Sequence, residues 1–319
     1  MKAAVVYSLE QGPVYADFAM PQAQSGQQIV QVSAAAISHV VKSRASGQHY
    51  SYDGTLPFIA GVDGTGVTRD GQRVWFAFPP SPWGSMAEFV PVAIDSCVAL
   101  PDDLDDVTAA AMANPGMSAW AALVDRAGFR PGETVLINGA TGSAGQLAVQ
   151  IARHLGAKKI VATGRNMTVL NGLGADVAIA LTADAAALEQ QLAEQAAGRI
   201  DVVVDYLWGN VAQTLLTSLA THASGTEPIR YVQVGAQAGQ DITLAGALLR
   251  ASPIQLMGSG IGSLSFPRLV AATGAMLQAA AEGGFRIAHT TAPLSDVARA
   301  WPLDDSKHRT VFTVADNSL

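Results

Sequence analysis

The chain has very little cysteine and little charge, and both shortages limit what it can be. Its single cysteine, Cys97, excludes an internal disulfide and a cysteine-based metal cluster. Charged residues make up 14% of the chain, the formal net charge is −7, and the largest basic cluster is Lys158-Lys159. Bulk attraction to nucleic acid or to an anionic membrane is therefore not expected.

A long hydrophobic run is also missing. The apolar region 107–124 is interrupted by Asn114-Pro115-Gly116, which predicts a break there rather than a membrane span. Residues 1–7 form a segment that is too short and too soon interrupted for a signal peptide. Together these features predict a soluble cytoplasmic protein.

Several catalytic motifs are absent as well. No Gly-Lys dipeptide occurs, which excludes a Walker phosphate loop, and residues 116–120 miss the Gly-x-Ser-x-Gly nucleophile pattern at its last position. The lack of a Tyr-x-x-x-Lys motif counts against a short-chain dehydrogenase. The six histidines include no pair at a spacing typical of metal ligands, so no metal site is predicted.

The 319 residues that are present suit two domains, and 49% of them are apolar, enough for a large core. Residues 1–112 predict a mostly β region, because short apolar runs alternate there with Gly, Pro and Asp turn signals. The predicted strands cover residues 3–7, 28–34, 64–68, 73–77 and 87–91. The acidic run 102–106 is typical of a helix N-terminus, where carboxylates complement the helix dipole.

From about residue 117 the pattern changes to alternating strands and helices, which predicts a doubly wound parallel sheet. The predicted strands cover residues 135–137, 160–163, 177–181, 202–205, 231–234 and 254–258. Helices are predicted near residues 144–155, 167–173, 184–197, 210–222 and 266–283, with a short helix near 295–300 and a last strand over 310–314. Ligands of such sheets bind beyond the carboxyl ends of the strands.

A glycine turn between the first strand and helix of this region carries the clearest functional signal. The strand ends at Asn138, glycines follow at Gly139, Gly142 and Gly145, and an apolar helical pattern begins. Strand, glycine turn and helix form the geometry that holds a pyrophosphate at a helix N-terminus. The alternative is a tight turn without a ligand, since the chain contains 31 glycines.

The end of the next strand favours NADPH over NADH. Enzymes that bind NAD carry an acidic residue there, whereas this chain has Arg165, whose planar guanidinium suits a 2′-phosphate. The alternative is a solvated arginine at a helix start. The predicted NADPH-binding residues are Gly139, Gly142, Ser143, Ala144, Gly145, Gly164, Arg165, Asn166, Tyr206 and Gly235.

Further motifs follow one another in a recognisable order along the chain. They are Ala34-Ala35-Ala36-Ile37-Ser38, Gly61-Val62-Asp63-Gly64-Thr65-Gly66, Gly71-Gln72-Arg73-Val74, Gly84-Ser85-Met86-Ala87-Glu88-Phe89-Val90 and Pro131-Gly132-Glu133-Thr134-Val135. With these motifs the sequence resembles the medium-chain dehydrogenase/reductase superfamily, on its zinc-free, quinone oxidoreductase-like side. The resemblance implies an α/β fold with a GroES-like β domain (1–116), a Rossmann NADP-binding domain (117–260) and a C-terminal segment (261–319) that returns to the first domain.

The departures from that family pattern concern zinc. Where zinc-dependent members carry metal ligands, this chain has Ser38, Val62 and Asp63, of which valine cannot bind a metal and a serine hydroxyl is a poor zinc ligand. The resemblance thus implies a zinc-independent, NADPH-dependent oxidoreductase that transfers hydride to a quinone or an activated enone. A zinc-free alcohol or carbonyl reductase and a non-catalytic NADPH-binding protein are the alternatives.

The catalytic residues are less defined than the cofactor residues. Zinc-free relatives often carry a tyrosine at the position of Ser43, so Tyr50 or Tyr52 could replace it as a proton donor, with Lys42 as an electrostatic alternative. Packing of both tyrosines in the loop is the competing interpretation. Further candidates for a small-molecule pocket are Ser38, His39, Trp83 and Trp208. The resemblance implies a homodimer through the edge strand 254–258, because family members commonly pair this edge, and an unpaired apolar edge would otherwise favour aggregation.

Overall fold

The computed structural model describes residues 1–49, 52–181, 184–223, 225–304 and 308–314, and these residues form two compact units. One unit comprises Met1–Asn114 together with the chain from Pro267 onward. The other unit is the continuous segment Pro115–Phe266. The first unit is therefore built from both ends of the described chain, and the second from its middle.

The strands and helices are numbered in chain order. The strands are β1 (Lys2–Val6), β2 (Val14–Asp17), β3 (Gln27–Ala36), β4 (Phe58–Ile59), β5 (Asp63–Thr68), β6 (Arg73–Ala77), β7 (Phe89–Ala93), β8 (Cys97–Ala99), β9 (Thr134–Asn138), β10 (Lys159–Gly164), β11 (Val177–Ala180), β12 (Val202–Asp205), β13 (Ile229–Gln233), β14 (Ile254–Gly258), β15 (His289–Pro293) and β16 (Arg309–Thr313). The α-helices are α1 (His39–Ala45), α2 (Asp106–Trp120), α3 (Ser143–His154), α4 (Met167–Asn171), α5 (Ala185–Ala197), α6 (Gly209–His222), α7 (Gly246–Ala251), α8 (Phe266–Gly283) and α9 (Val297–Ala300).

The first unit contains two sheets. Strands β2, β1 and β4 form a small antiparallel sheet, and the larger sheet has the order β15-β16-β3-β5-β6-β8, with β7 also paired to β3. Strand β5 approaches β3 so closely that a Cβ on Gly66 would lie 2.2 Å from Gln31 O. The C-terminal strand β16 runs antiparallel to β3, with Val311 opposite Ala36.

The second unit is a six-stranded parallel sheet in the order β11-β10-β9-β12-β13-β14. All five residues of β9 are buried, as expected for a parallel strand that is covered on both faces. The strand order reverses at β9, because β10 lies on one side of it and β12 on the other. These two kinds of sheet confirm the α/β class predicted from the sequence.

The predicted break at Asn114-Pro115-Gly116 is wrong. Helix α2 continues through Pro115 to Trp120 and then widens into a π-helical turn, Ala121–Arg126, in which Ala127 N donates to Ala122 O at 2.9 Å. An internal proline removes one backbone hydrogen bond, but the preceding turns, from Ala109 to Ala113, are almost wholly buried. Tertiary packing therefore outweighs the local preference of the proline.

Among the described helices, none combines the length and the hydropathy that crossing a membrane requires.

Elements absent from the prediction include α1, α7, β2 and β15, which are short and weakly patterned.

Candidate cofactor site

The glycine turn joins the end of β9 to the start of α3. Gly139 has φ +91°, in the left-handed region that favours glycine. A Cβ on Gly145 would lie 2.4 Å from Gly139 O and 2.6 Å from Ala140 Cα, so this glycine lets α3 pack directly on the turn. A Cβ on Gly142 would meet nothing closer than Gly139 O at 3.9 Å. Two of the three glycines thus have a steric role within the fold, and Gly142 borders open space.

The N-terminus of α3 has the features of an anion site. Gly142 is the N-cap residue, and as a glycine it has no side chain to bond the first backbone N–H groups of the helix. The first helical residues are Ser143 and Ala144, both half-buried. The first N–H groups of any helix lack intrahelical partners and carry the positive end of the helix dipole. This turn therefore presents positively polarised N–H groups beside a glycine without a side chain.

The carboxyl end of the neighbouring strand β10 lies against the glycine turn. A Cβ on Gly164 would lie 2.4 Å from Thr141 Cγ2, so only glycine allows this close approach. The next residue, Arg165, is exposed and makes no hydrogen bond or ion pair with any described residue. Asn166 is the N-cap of α4, where its side chain accepts a hydrogen bond from Val169 N at 3.2 Å. The guanidinium of Arg165 is thus available to a ligand, whereas the Asn166 carbonyl oxygen is engaged by its helix.

Two loops follow β12 and β13 on the other side of β9. A Cβ on Gly235 would lie 2.8 Å from Tyr206 O, and Gln237 N donates to that carbonyl at 3.3 Å, so the two loops interlock. The Tyr206 side chain is buried, its hydroxyl forms no hydrogen bond of normal geometry with the described residues, and burial raises its pKa, opposed by the Ser118 hydroxyl. The Tyr206 phenol is therefore enclosed by the protein rather than presented at the surface.

Trp208 has an unusual backbone conformation, with φ +56° and ψ −154°. Among the described non-glycine residues only Phe78 and Arg199 share a positive φ, and such strain is concentrated at functional sites in proteins. Its side chain is half-buried and packs on the core between the sheet and α5 and α6. The indole thus packs on the core of its own unit, which disfavours the prediction that it lines a small-molecule pocket.

Four polar side chains at the strand ends were not identified from the sequence. Asn138, Thr163, Asp205 and Tyr231 are at most 1% exposed and are joined by hydrogen bonds of 2.7–2.8 Å. Burial raises the pKa of Asp205, and the hydrogen bonds that its carboxylate accepts oppose this shift. A polar residue that ends an otherwise apolar strand, such as Asn138 or Asp205, was the available signal.

The predicted cofactor residues converge because their strands are neighbours. They follow β9, β10, β12 and β13, four adjacent parallel strands whose carboxyl ends form one edge of the sheet. All of them belong to the second unit. The candidate catalytic residues Lys42 and Tyr52 belong to the first unit, and Tyr50 lies outside the described residues.

Neither described catalytic candidate has a free polar group. Lys42 Nζ pairs with Asp304 Oδ2 at 2.9 Å and donates to Asp304 O at 2.8 Å. The Tyr52 hydroxyl donates to Thr55 O at 3.2 Å, and its ring packs on Phe58 with centroids 5.7 Å apart. Lys42 therefore links helix α1 to Asp304, near the other end of the first unit's chain, and Tyr52 supports the loop around it.

The other pocket candidates also have local partners. Ser38 is the N-cap of α1 and accepts a hydrogen bond from Val41 N at 3.2 Å, whereas His39, the first residue of that helix, is exposed. Trp83 packs edge-on against Phe18 with centroids 5.6 Å apart. Ser38 and Trp83 thus have partners within the first unit.

Val62 and Asp63, which align with zinc ligands of the family, both lie in buried surroundings. Val62 is buried, and Asp63 is 5% exposed and accepts a hydrogen bond from Trp75 Nε1 at 3.3 Å. Burial raises the pKa of Asp63 to about 6, against the opposing effects of the Arg309 charge and of the Trp75 bond. The described residues contain no group of three or more His, Cys, Asp or Glu side chains that could hold a metal ion.

Known proteins are similar in sequence to this chain, and one of them is similar over nearly its whole length. No known family model matches it. A probable NADPH-dependent quinone reductase from Emericella nidulans is 30% identical, over 95% of this chain and 96% of that protein. A 2-methylene-furan-3-one reductase from Solanum lycopersicum is 31% identical over 183 residues, which cover 51% of this chain and 47% of that protein.

The fold is shared with solved structures of the same group. The quinone oxidoreductase from Thermus thermophilus, also solved in complex with NADPH, has 25% sequence identity and a TM-score of 0.79 and covers 98% of this chain and 100% of its own. The similarity to the fungal protein extends through both units and includes the glycine turn. The chain belongs to the medium-chain dehydrogenase/reductase superfamily, within its quinone oxidoreductase-like branch.

Proposed function

We propose that this protein is an NADPH-dependent oxidoreductase that reduces a quinone or an activated enone without zinc. The observation that carries the proposal is the pairing of a helix N-terminus that begins at Gly142, which has no side chain, with the guanidinium of Arg165, which has no partner among the described residues. The two features follow adjacent strands, β9 and β10, of one parallel sheet. This arrangement suits the pyrophosphate, which NADPH shares with NADH, and the 2′-phosphate, which distinguishes NADPH from NADH.

Each predicted cofactor residue has a role in this proposal. Backbone N–H groups of Ser143 and Ala144 bind the pyrophosphate, which approaches over the open Cα of Gly142. Arg165 holds the 2′-phosphate, and the loops at Tyr206 and Gly235 border the nicotinamide ribose through their backbone. When bound, NADPH supplies the hydride, and the protein supplies orientation and electrostatics.

The side chains at the aligned zinc positions support a mechanism without metal. The Ser38 hydroxyl is 4% exposed and caps α1, Val62 is apolar, and the Asp63 carboxyl bonds Trp75. Zinc sites use thiolate, imidazole or carboxylate ligands, so this set has one suitable member. Without a Lewis acid, a quinone or an enone is a better hydride acceptor than a simple ketone because its negative charge is delocalised.

The relatives favour the same acceptors. The fungal relative is named for quinone reduction, and the tomato relative is named for reduction of a methylene furanone, which is an activated enone. Because Lys42 and Tyr52 are engaged within the first unit, we propose that water supplies the proton for the reduced product. Tyr50 stays a sequence-based prediction for this role.

The proposal is tested by following NADPH oxidation with p-benzoquinone, a naphthoquinone, an α,β-unsaturated ketone and an unactivated aldehyde. We expect turnover of quinones or of the enone and none of the aldehyde. Turnover of the aldehyde at a comparable rate would favour a zinc-free carbonyl reductase. Tight NADPH binding without turnover of any acceptor would favour a non-catalytic NADPH-binding protein.

We also propose that the protein acts as a cytoplasmic homodimer. Strand β14 pairs only with β13 among the described strands, so one edge of the parallel sheet is open. Leu256, in the middle of β14, is 37% exposed. A second copy of the chain that pairs along this edge would cover both the unpaired backbone and this side chain.

A further inference from the structure

A buried chain of hydrogen bonds starts at the glycine turn and ends at the carboxylate of Asp205. Gly139 N donates to Thr163 Oγ1 at 3.2 Å, and the Thr163 hydroxyl donates to Asn138 Oδ1 at 2.7 Å. Asn138 Nδ2 then donates to Asp205 Oδ1 at 2.7 Å, and Tyr231 Oη donates to Asp205 Oδ2 at 2.8 Å. Each group donates in the direction of Asp205, so the polarity of the chain is continuous.

The same carboxylate fixes the loop after β12. Asp205 Oδ1 accepts hydrogen bonds from Leu207 N at 2.9 Å and from Trp208 N at 3.2 Å. These bonds hold Trp208 in its strained conformation with positive φ. The backbone carbonyl of Asp205 also accepts from Val234 N at 2.7 Å and from Gly235 N at 3.1 Å. One residue is thereby bonded to the loops after β12 and β13 and, through two side chains, to the turn after β9.

We infer that Asp205, acting through Asn138 and Thr163, is a positioning residue that sets the glycine turn and the Tyr206–Gly209 loop in one fixed relation for NADPH. The inference rests on the proposed binding of NADPH at this edge of the sheet. In that proposal the pyrophosphate would contact the glycine turn, and the nicotinamide ribose would contact the two loops beyond β12 and β13. A single buried network therefore holds the supports of both halves of the cofactor.

The network is rigid because every member is satisfied and shielded from water. An unpaired polar group in such a place costs more free energy than the hydrogen bond that it loses, so removal of one link destabilises the geometry around it. The Thr163 hydroxyl is the side-chain link to the turn, since it accepts from Gly139 N, the first amide of the turn, and donates to the Asn138 side-chain oxygen. Substitution by valine keeps the shape of the side chain and removes only this hydroxyl.

The test compares Thr163→Val with wild type by measuring the Kd values of NADPH and NADH at a temperature where both proteins are folded. We expect Thr163→Val to raise both Kd values by about tenfold, because the pyrophosphate is common to the two cofactors. Thr163→Ser restores the hydroxyl and should restore affinity. The matched control is Thr273→Val in α8, where an equally buried threonine loses a hydroxyl bond to Leu269 O at 2.9 Å. The control should leave both Kd values unchanged.

The outcomes separate this inference from the proposed function. A wild type that does not bind NADPH would refute the proposed function itself. If wild type binds NADPH and Thr163→Val binds it equally well, the positioning role is refuted. Selective weakening of NADPH alone would also overturn it, since that result would place the effect at the 2′-phosphate.

If Thr163→Val does not fold, hydrogen exchange on the wild type replaces the binding comparison. The network predicts that saturating NADPH slows amide exchange in residues 139–142 and in residues 206–209 by comparable factors, because one carboxylate joins both segments. Protection of one segment without the other would overturn the inference.

Discussion

At the scale of single residues, the choice of cofactor in our proposal depends on Arg165. We expect Arg165→Ala to weaken NADPH binding about tenfold to hundredfold and to leave NADH binding nearly unchanged, because charge-assisted bonds to a phosphate are lost. Titration of both cofactors against the variant gives this ratio directly.

The control for this variant is Arg250→Ala, which removes another exposed arginine of the second unit, in the last turn of α7. It should leave both affinities unchanged. An equal loss of NADPH and NADH in Arg165→Ala would remove Arg165 from the 2′-phosphate role.

A second residue-scale prediction concerns Asp63 and pH. Burial raises the pKa of its carboxyl to about 6 in the folded protein, whereas an unfolded aspartate titrates near pH 4. Between these values the folded state binds more protons, so this carboxyl lowers stability as pH rises. Asp63→Asn removes the titration. We expect the stability of the variant relative to wild type to improve by about 2 kcal/mol between about pH 4 and about pH 7.

This prediction is measured by chemical denaturation at a series of pH values, with tryptophan fluorescence as the signal. An asparagine oxygen can still accept the bond from Trp75 Nε1, so the packing of the site is kept. The exposed aspartate Asp103 gives the control variant Asp103→Asn, which should retain the wild-type pH profile. A profile of Asp63→Asn that runs parallel to wild type would show that the carboxyl does not titrate in this range.

The places of single residues in the fold were predictable where one local pattern sufficed. The three glycines and Arg165 stand at positions defined by a strand, a turn and the next strand, so their pattern is visible in the chain itself. Asp205 was missed because its partners Asn138 and Tyr231 come from strands on both sides of it. A hydrogen bond between such distant positions follows from the register of the sheet, which the sequence does not state.

At the scale of elements, two glycines of the turn between β9 and α3 have different roles. Gly145 matters for stability, and Gly142 matters for cofactor binding. Gly145→Ala would place a Cβ 2.6 Å from Ala140 Cα, so we expect a loss of about 1–3 kcal/mol in stability as α3 is pushed off the turn. Gly142→Ala meets no such obstacle within the protein, and we expect stability to change by less than about 1 kcal/mol.

The Gly142→Ala variant should nevertheless bind NADPH severalfold more weakly, because its methyl group occupies the approach of the pyrophosphate. Thermal denaturation together with NADPH titration of both variants checks the pair. Loss of stability in Gly142→Ala, or unchanged NADPH binding by that variant, would contradict the proposed position of the pyrophosphate.

Elements were predicted well where hydrophobic periodicity was strong and poorly where burial overrode a local signal. Strands β6, β12 and β14 and helix α8 have the predicted bounds. Helix α2 was interrupted in the prediction because Pro115 is a helix breaker in isolation. Its burial within the protein could not be read from the local sequence.

At the scale of the whole molecule, the open edge of β14 makes the oligomeric state testable. We expect light scattering to give the mass of a dimer for wild type and of a monomer for Leu256→Lys, since a lysine on this edge blocks strand pairing. Leu303→Lys is the control, because Leu303 is 73% exposed and lies outside the parallel sheet. A monomeric wild type at working concentration would refute the dimer.

The presence of two kinds of sheet was predictable from the whole chain, because strand-rich and alternating regions differ in pattern. Only the family resemblance predicted that the C-terminal segment returns to complete the first unit. Strand β16 pairs with β3 over a sequence separation of more than two hundred residues, and no local pattern encodes such a partner.

This pairing has a consequence for the order of events during synthesis on the ribosome. The parallel sheet needs only Pro115–Phe266, so it can form as soon as that continuous segment has emerged. Strand β3 is made much earlier but must wait for β16 before its larger sheet is complete. The usual order, in which the N-terminal part folds first, is therefore reversed. Strands β1 to β8, which precede the continuous segment, are therefore the ones exposed longest to chaperones and to aggregation.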